Sequence, residues 1–176
     1  MIRVLLFLLP AALALAGGLG AVTPAVAVPK AKPVQVATYG DWGAFVAEVG
    51  DDKTCYALAK PKDRAPANLK RDPAFIFISS RPSENIRNEV SIIMGFPMKD
   101  GGEADADVGD ASFELISKGT NAWVKNPAKE GELIEAMKKG ATLTVKASSL
   151  RGNMTTDSYS LSGLSQALER VMKECR

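Results

Sequence analysis

The stretch Ala74-Phe75-Ile76-Phe77-Ile78-Ser79-Ser80 decides the fold class of this chain. Aromatic and β-branched residues fit the pleated, half-buried surface of a sheet, so this stretch is the strongest predicted strand. Arg81-Pro82 ends it, and residues 88–96 (NEVSIIMGF) follow as a partner strand after a short polar connection. The chain is therefore expected to be built mainly from antiparallel strands.

Further short strands are predicted on both sides of this pair. Trp42 lies in a strand that runs to the turn Gly50-Asp51-Asp52, and residues 55–59 return from that turn. Four more strands are expected, over residues 112–118, 122–125, 142–148 and 155–161. The intervening segments 61–73 and 100–110 are rich in Pro, Gly and Asp, and they are predicted to be loops.

Two helices complete the predicted fold. In the first, Asn126 is a suitable N-cap, Pro127 suits the first position, and Gly140 ends the helix. Its apolar stripe is Leu133, Ile134 and Met137. The final helix is expected to be capped by Ser162 or a neighbour. Its apolar stripe is Leu164, Leu168, Val171, Met172 and Cys175. The expected fold is α+β and mainly β: an antiparallel sandwich or open barrel of about eight short strands with two helices, the last at the C-terminus.

The N-terminus reads as an export signal of the Sec type. Arg3 gives a positive start, residues 4–16 are apolar, and Ala25-Val26-Ala27 is an A-x-A cleavage site. A retained membrane anchor is the alternative, but the apolar run is shorter than the roughly 20 residues of a spanning helix. Cleavage after Ala27 would leave a flexible lead-in over residues 28–38 and a single domain over residues 39–176, with no transmembrane segment.

Charge and composition exclude some partners. Loss of Arg3 with the signal leaves one more basic than acidic residue, and the basic residues are spread along the chain. Nucleic-acid binding is therefore not expected, because it requires a concentrated positive surface.

The chain has two cysteines, Cys55 and Cys175, and an even number in an exported protein predicts a disulfide. A redox-active pair or a metal site are the alternatives. Redox pairs usually lie close in sequence, and zinc would need more Cys or His ligands, whereas this chain has no histidine. We therefore expect a structural bond, and neither a bound metal nor another cofactor.

The absence of histidine also excludes catalysts of the Ser-His-Asp and Cys-His types. A hydrolase could still use a carboxylate pair, but no spacing selects one among Asp41, Glu84, Glu89 and Asp157. Ser79, Ser80, Ser148 and Ser149 lie near strand ends without a catalytic motif. The alternating carboxylates Glu103, Asp105, Asp107 and Asp110 could bind calcium, although a solvated loop is the preferred interpretation. The chain is therefore not expected to be an enzyme.

Two sets of side chains are candidates for recognition. The first is aromatic, and it is interpreted mainly as core: Trp42, Phe75, Phe77, Phe96 and Trp123. The second is basic and amide-rich: Arg64, Arg71, Arg81, Asn85, Arg87 and Asn88. Guanidinium groups could engage an anionic glycan, a lipid headgroup or another protein, or they could pair internally with Asp63, Asp72, Glu84 and Glu89. Partner binding is assigned to the loops 62–72 and 81–88, with Arg64, Arg71, Arg81 and Arg87 as anchors.

Several short sequence motifs occur in an order that resembles the invasion-associated locus B family of exported proteins from Gram-negative bacteria. The resemblance covers residues 39–175. Its motifs are GDWG at 40–43, TCYAL at 54–58 with KP at 60–61, RDPAF at 71–75, SRP at 80–82, NEVS at 88–91, GFP at 95–97, TDSYSLSG at 156–163 and EC at 174–175. The resemblance implies a small β-rich protein of the periplasm or envelope, without catalytic residues or a cofactor. It also implies an association, in some pathogens, with host-cell entry.

The resulting expectation is an exported, non-enzymatic protein of the periplasm, envelope or secreted fraction that binds a protein or envelope component. A periplasmic chaperone-like or stress-protective protein is the second hypothesis, and an exposed apolar groove or an open sheet edge would favour it. A hydrolase without histidine is the third.

Overall fold

A computed structural model describes residues 32–176, and the predicted signal peptide lies outside this part. Residues 32–176 form eleven β-strands and two α-helices. The helices are α1 (Glu130–Lys139) and α2 (Leu164–Glu174). The strands are β1 (Val34–Tyr39), β2 (Trp42–Val49), β3 (Asp52–Ala59), β4 (Asp63–Ala65), β5 (Phe75–Arg81), β6 (Ile86–Ile93), β7 (Glu103–Val108), β8 (Ala111–Lys118), β9 (Asn121–Val124), β10 (Thr142–Ser148) and β11 (Met154–Ser160).

All of these strands belong to one antiparallel sheet. The strand order is β1-β2-β3-β5-β6-β9-β8-β7-β10-β11-β4, and the sheet is not closed. The predicted α+β, mainly β class is therefore confirmed, including the C-terminal helix. One curled sheet around a single apolar core matches the open barrel rather than the sandwich.

Hydrogen bonds between strands that are distant in the sheet order show how far the sheet curls. The indole Nε1 of Trp42, at the start of β2, donates to the carbonyl oxygen of Ser160, at the end of β11, over 3.0 Å. The amide of Asp41 donates to the carbonyl of Ser162, also over 3.0 Å. The second and the tenth strands of the sheet are thereby brought together, and Trp42 is completely buried at their meeting point.

Helix α2 packs on β2, β3 and β1 with the buried residues Leu164, Ala167, Leu168 and Val171. The prediction for Met172 was wrong: it is 46% exposed, because it lies beyond the edge of the buried stripe. No side chain caps this helix, and its N-cap residue is Gly163. With φ of +90°, Gly163 lies against the carbonyl of Tyr39, where a Cβ atom would overlap the main chain.

The predicted start of the first helix is the start of a 3-10 turn, and α1 itself begins three residues later, at Glu130. The side chain of Asn126 accepts a hydrogen bond from the amide of Ala128 over 3.1 Å, and Pro127 starts a short 3-10 turn that runs into α1. Leu133, Ile134 and Met137 are buried. Neither helix in the described part of the chain is long and apolar enough to cross a membrane.

The predicted disulfide joins the last helix to the sheet. Cys55 on β3 and Cys175 at the end of α2 are bonded, their Cα atoms lie 5.9 Å apart, and both side chains are buried. The bond closes a loop with a sequence separation of 120 residues. It holds α2 against the hairpin of β2 and β3, which is the structural role expected from the sequence.

Three strands correct the predicted element list. The lead-in over residues 28–38 contains most of β1, which begins at Val34 and pairs with β2. The short strand β4 lies within the predicted loop 61–73 and pairs with β11. The predicted loop 100–110 is mostly β7, which lies between β8 and β10. In β7, Ala104, Ala106 and Val108 are buried between the carboxylates that suggested a loop.

Candidate binding surface

Two of the four predicted anchor arginines converge on one buried carboxylate. Arg64 on β4 donates from Nε to Asp157 Oδ2 over 3.0 Å, and Arg71 donates from Nη1 to Asp157 Oδ1 over 2.8 Å. The side chain of Asp157 is 0% exposed, that of Arg71 is 5% exposed and that of Arg64 is 22% exposed. We call these three residues the ion triad.

The ion triad also fixes the main chain around it. Arg64 Nη1 donates to the carbonyl of Asp72 and Nη2 to the carbonyl of Met94, both over 2.7 Å. Breaking a buried ion pair leaves an uncompensated charge in a medium of low polarity, which is strongly destabilising. The geometry of Arg64 and Arg71 therefore serves the fold, because it joins β4, the loop after it and the end of β6 to β11.

Arg81 and Arg87 are also engaged within the chain. Arg81 donates to Glu84 over 3.0 Å and to Glu89 over 2.9 Å, as the internal-pairing alternative predicted. Arg87 is exposed and donates from Nη1 to the carbonyl of Cys175 over 2.9 Å. The role of these arginines as partner anchors stays a prediction, and Arg81 and Arg87 are the two that lie outside the ion triad.

The amide residues beside them shape the connection between β5 and β6. Asn85 has φ of +56° and Asn88 has φ of +58°, a left-handed conformation that Asn tolerates better than most residues. The amide of Asn88 donates to Ser80 Oγ over 3.3 Å. The left-handed backbone conformation thus explains why asparagine occupies both positions.

The five candidate aromatics divide into two buried and three partly exposed side chains. Trp42 and Phe96 are buried, as the preferred core interpretation predicted. Phe75, Phe77 and Trp123 are partly exposed, because they alternate along their strands with the buried Ile76, Ile78 and Val124. Successive residues of a strand point to opposite faces, so these three aromatics lie on the outer face.

Register places further apolar residues on this outer face. A continuous row of paired residues crosses six strands: Gly43, Leu58, Phe77, Ser91, Trp123 and Ile116. Phe45 pairs with Tyr56 in a neighbouring row, and Phe75 pairs with Ile93 in another. We call the aromatic face the set Phe45, Tyr56, Leu58, Phe75, Phe77, Ile93, Ile116 and Trp123.

The rings of the aromatic face are packed against one another. The centroids of Phe45 and Tyr56 lie 5.2 Å apart in a stacked arrangement, Tyr56 lies 5.6 Å from Phe77, and Phe77 lies 6.1 Å from Phe75. Lys60 Nζ lies 5.7 Å from the centroid of Phe75, within the range of a cation–π contact. The face is thus a pre-arranged apolar surface with a cation at one border.

Two further observations describe the packing of this face. Burial raises the pKa of Tyr56 above its ordinary value, because the neighbouring side chains shield its hydroxyl from water. Gly43 is the residue beneath the ring of Phe45, and a Cβ atom there would lie 2.6 Å from Phe45 Cε2. The glycine therefore lets the ring lie flat against β2.

The other chemical candidates are engaged in local contacts. The hydrogen bond from Lys62 lowers the pKa of Asp41, and Asp107 accepts from Ser112 over 2.6 Å and pairs with Lys146. Ser79 and Ser80 are buried in β5. Within residues 32–176, no group of three or more Asp, Glu, Cys or His residues is arranged to hold a metal ion.

Comparison with protein families gives one result. The family described as "Invasion associated locus B (IalB) protein" matches residues 42–172. The chain belongs to this family. Comparisons with curated proteins and with solved structures give no match.

The sequence motifs that resemble the IalB family contact one another in the fold. Arg71 of the motif RDPAF donates to Asp157 of the motif TDSYSLSG, and Trp42 of the motif GDWG donates to the carbonyl of Ser160, which also belongs to TDSYSLSG. The amide of Asp72 donates to the carbonyl of Gly95 in the motif GFP over 2.9 Å. The motifs therefore contain residues whose hydrogen bonds stabilise this fold. The aromatic face lies wholly inside the matched residues.

Proposed function

We propose that this IalB family protein is an exported, non-enzymatic interaction protein of the Gram-negative envelope, and that it binds a partner protein through the aromatic face. The observation that carries the proposal is the aromatic face, in which a row of paired residues crosses six strands on the outer side of the sheet and has apolar side chains on four of them: Leu58, Phe77, Trp123 and Ile116. Contiguous apolar surface of this kind marks interaction sites on soluble proteins, and aromatic residues are enriched at the centres of such interfaces.

Export is supported by the N-terminal sequence and by the disulfide. Residues 1–27 have the charged start, apolar run and A-x-A site of a cleaved signal. The bond between Cys55 and Cys175 is suited to an oxidising compartment such as the periplasm or the extracellular space. Cell fractionation followed by a gel shift with a thiol-reactive reagent tests both points, since a cytoplasmic, fully reduced protein would contradict them.

A non-enzymatic role is supported by the side chains available for chemistry. The chain has no histidine, both cysteines are bonded, and Asp157 is held between two arginines. The association with host-cell invasion is proposed on the family description alone. Comparing host-cell entry by a deletion strain and by its complemented parent tests that association.

Crosslinking in the native envelope tests the aromatic face directly. A photoreactive phenylalanine analogue at Trp123 should capture a discrete partner, whereas the same analogue at the exposed Glu169 on α2 should not. Ile116→Asp should then strongly reduce capture at Trp123, because it places a charge directly beside Trp123 within an apolar contact. Met172→Asp is the matched control, since Met172 is 46% exposed and Ile116 is 40% exposed. Equal capture at both crosslinking positions would refute the assignment.

A chaperone-like function is the second candidate, and the aromatic face also favours it because unfolded chains bind to exposed apolar surface. Suppression of the aggregation of several unrelated unfolded proteins, lost in Ile116→Asp, would support this alternative. Capture of one folded partner without any effect on aggregation would exclude it.

A further inference from the structure

A second surface, separate from the aromatic face, has the form of a small-molecule pocket. Its volume is about 540 Å³, within the roughly 300–1,000 Å³ typical of ligand sites. It is lined by three segments, residues 69–72, residues 95–97 and residues 149–155. None of the lining residues belongs to the aromatic face.

The walls of this pocket are joined by main-chain hydrogen bonds. The amide of Asp72 donates to the carbonyl of Gly95, and the amide of Leu150 donates to the carbonyl of Pro97, both over 2.9 Å. The turn after β10 is closed by the amide of Ser149, which donates to the carbonyl of Asn153 over 3.0 Å. Because all three segments are tied to one another, the pocket exists before any ligand binds.

Apolar side chains supply much of the pocket surface. Leu69, Phe96, Pro97 and Leu150 line it. Leu150 is 63% exposed, which is a large exposed fraction for a leucine next to a cavity. A ligand with an apolar body would bury this side chain.

The charged residues of the lining are predominantly basic. The lining contains three basic residues, Lys70, Arg71 and Arg151, and one acidic residue, Asp72. Among the described residues, neither Lys70 nor Arg151 has an acidic partner within 4.0 Å. Arg71 shares Asp157 with Arg64, so the ion triad behind the wall carries an excess positive charge.

We propose that this pocket binds a small anionic amphiphile, a monocarboxylate with an aliphatic chain of fatty-acid type. The carboxylate pairs with Lys70 and Arg151 at the mouth, and the chain lies on Leu69, Phe96 and Leu150. Charge complementarity selects the anion, and the apolar lining selects an aliphatic body over a purely polar anion. The site is independent of the partner-binding function proposed above.

Calorimetric titration of the folded, disulfide-bonded protein with sodium decanoate tests this assignment. Decanoate should bind with one site, whereas decyltrimethylammonium, which has the same chain length and the opposite charge, should not. Acetate should bind much more weakly than decanoate, because it lacks the chain. Amide chemical shifts should change at residues 69–72, 95–97 and 149–155.

Charge reversal separates the pocket from the rest of the surface. The double variant Lys70→Glu and Arg151→Glu should weaken decanoate binding by about tenfold or more, which corresponds to about 1.4 kcal/mol for each tenfold. Lys173→Glu is the matched control, since Lys173 is an exposed lysine on α2, and it should leave decanoate binding unchanged.

Three results would overturn the proposal. Equal binding of the cationic amphiphile would show that charge does not select the ligand. Chemical-shift changes confined to the aromatic face would place the site elsewhere. Tighter binding of a short acidic peptide than of decanoate at the same pocket residues would assign the pocket to a peptide.

Discussion

Asp157→Ala is the most informative single substitution in this fold. It removes the carboxylate that accepts from Arg64 over 3.0 Å and from Arg71 over 2.8 Å. Hydrogen bonds to charged groups contribute about 1.5–3 kcal/mol each, and loss of one member of a buried ion pair costs about 3–5 kcal/mol. We therefore expect the free energy of unfolding to fall by about 4 kcal/mol.

Urea denaturation of the disulfide-bonded protein, followed by tryptophan fluorescence, measures this loss. For a domain of this size the melting temperature should fall by about 10 °C. Asp63→Ala is the matched control: Asp63 is exposed, lies next to Arg64 in sequence, and was a predicted partner of the arginines. Its free energy of unfolding should change by no more than about 0.5 kcal/mol.

Single and double variants separate the two arginines. Arg71→Ala and Arg64→Ala should both be destabilising: the Arg71 side chain is the more buried, at 5% exposed, whereas Arg64 also donates to the carbonyls of Asp72 and Met94. In the Asp157→Ala background both losses should shrink, since the partner is already missing. The reasoning is refuted if Asp157→Ala costs no more than Asp63→Ala.

Three further predictions concern other parts of the fold. Cys175→Ser should lower the free energy of unfolding by about 5 kcal/mol, because it opens a loop with a sequence separation of 120 residues, and an unchanged melting temperature would contradict this. Burial raises the pKa of Glu130, so the folded protein binds this proton more tightly than the unfolded chain, and stability should decline as pH rises through the raised pKa. Glu130→Gln should remove that part of the pH dependence, as measured by urea denaturation at several pH values. Gly163→Ala should cost more than about 2 kcal/mol, whereas Gly119→Ala, also at positive φ but with open space around it, should cost less, as thermal denaturation would show.

The missed strand β7 shows where local sequence signals mislead. Its residues alternate between carboxylates and small apolar side chains, with Ala104 and Ala106 buried. Aspartate and glycine favour turns, and alanine is a weak strand former, so composition indicated a loop. The period of two was present in the sequence and could have identified the strand. The three-residue strand β4 carries no such period, and only its pairing with β11 defines it.

The aromatic face could be predicted only in part. The alternation of Phe75, Ile76, Phe77 and Ile78 indicates a strand, but either pair could have faced the core. The structure buries the isoleucines, because their neighbours on β3 and β6 in the same layer are also buried. Such a choice depends on the whole sheet, and no single segment contains the information.

The ion triad was missed because its members are distant in sequence. Arg64 and Arg71 lie 93 and 86 positions from Asp157. One local signal did exist: Asp157 alternates along β11 with Thr155 and Tyr159, both of which are buried. A carboxylate at an inward position needs cationic partners, so this register could have directed attention from the surface to the interior.

The long disulfide loop has a consequence for survival among proteases. A single cut in any surface turn between Cys55 and Cys175 leaves two fragments that are still joined by a covalent bond and by the sheet. Such a nicked molecule keeps its mass on a non-reducing gel and separates into pieces only when a reductant is added. A protein with this connectivity can be cut once by a protease and still keep all of its surfaces together in one molecule.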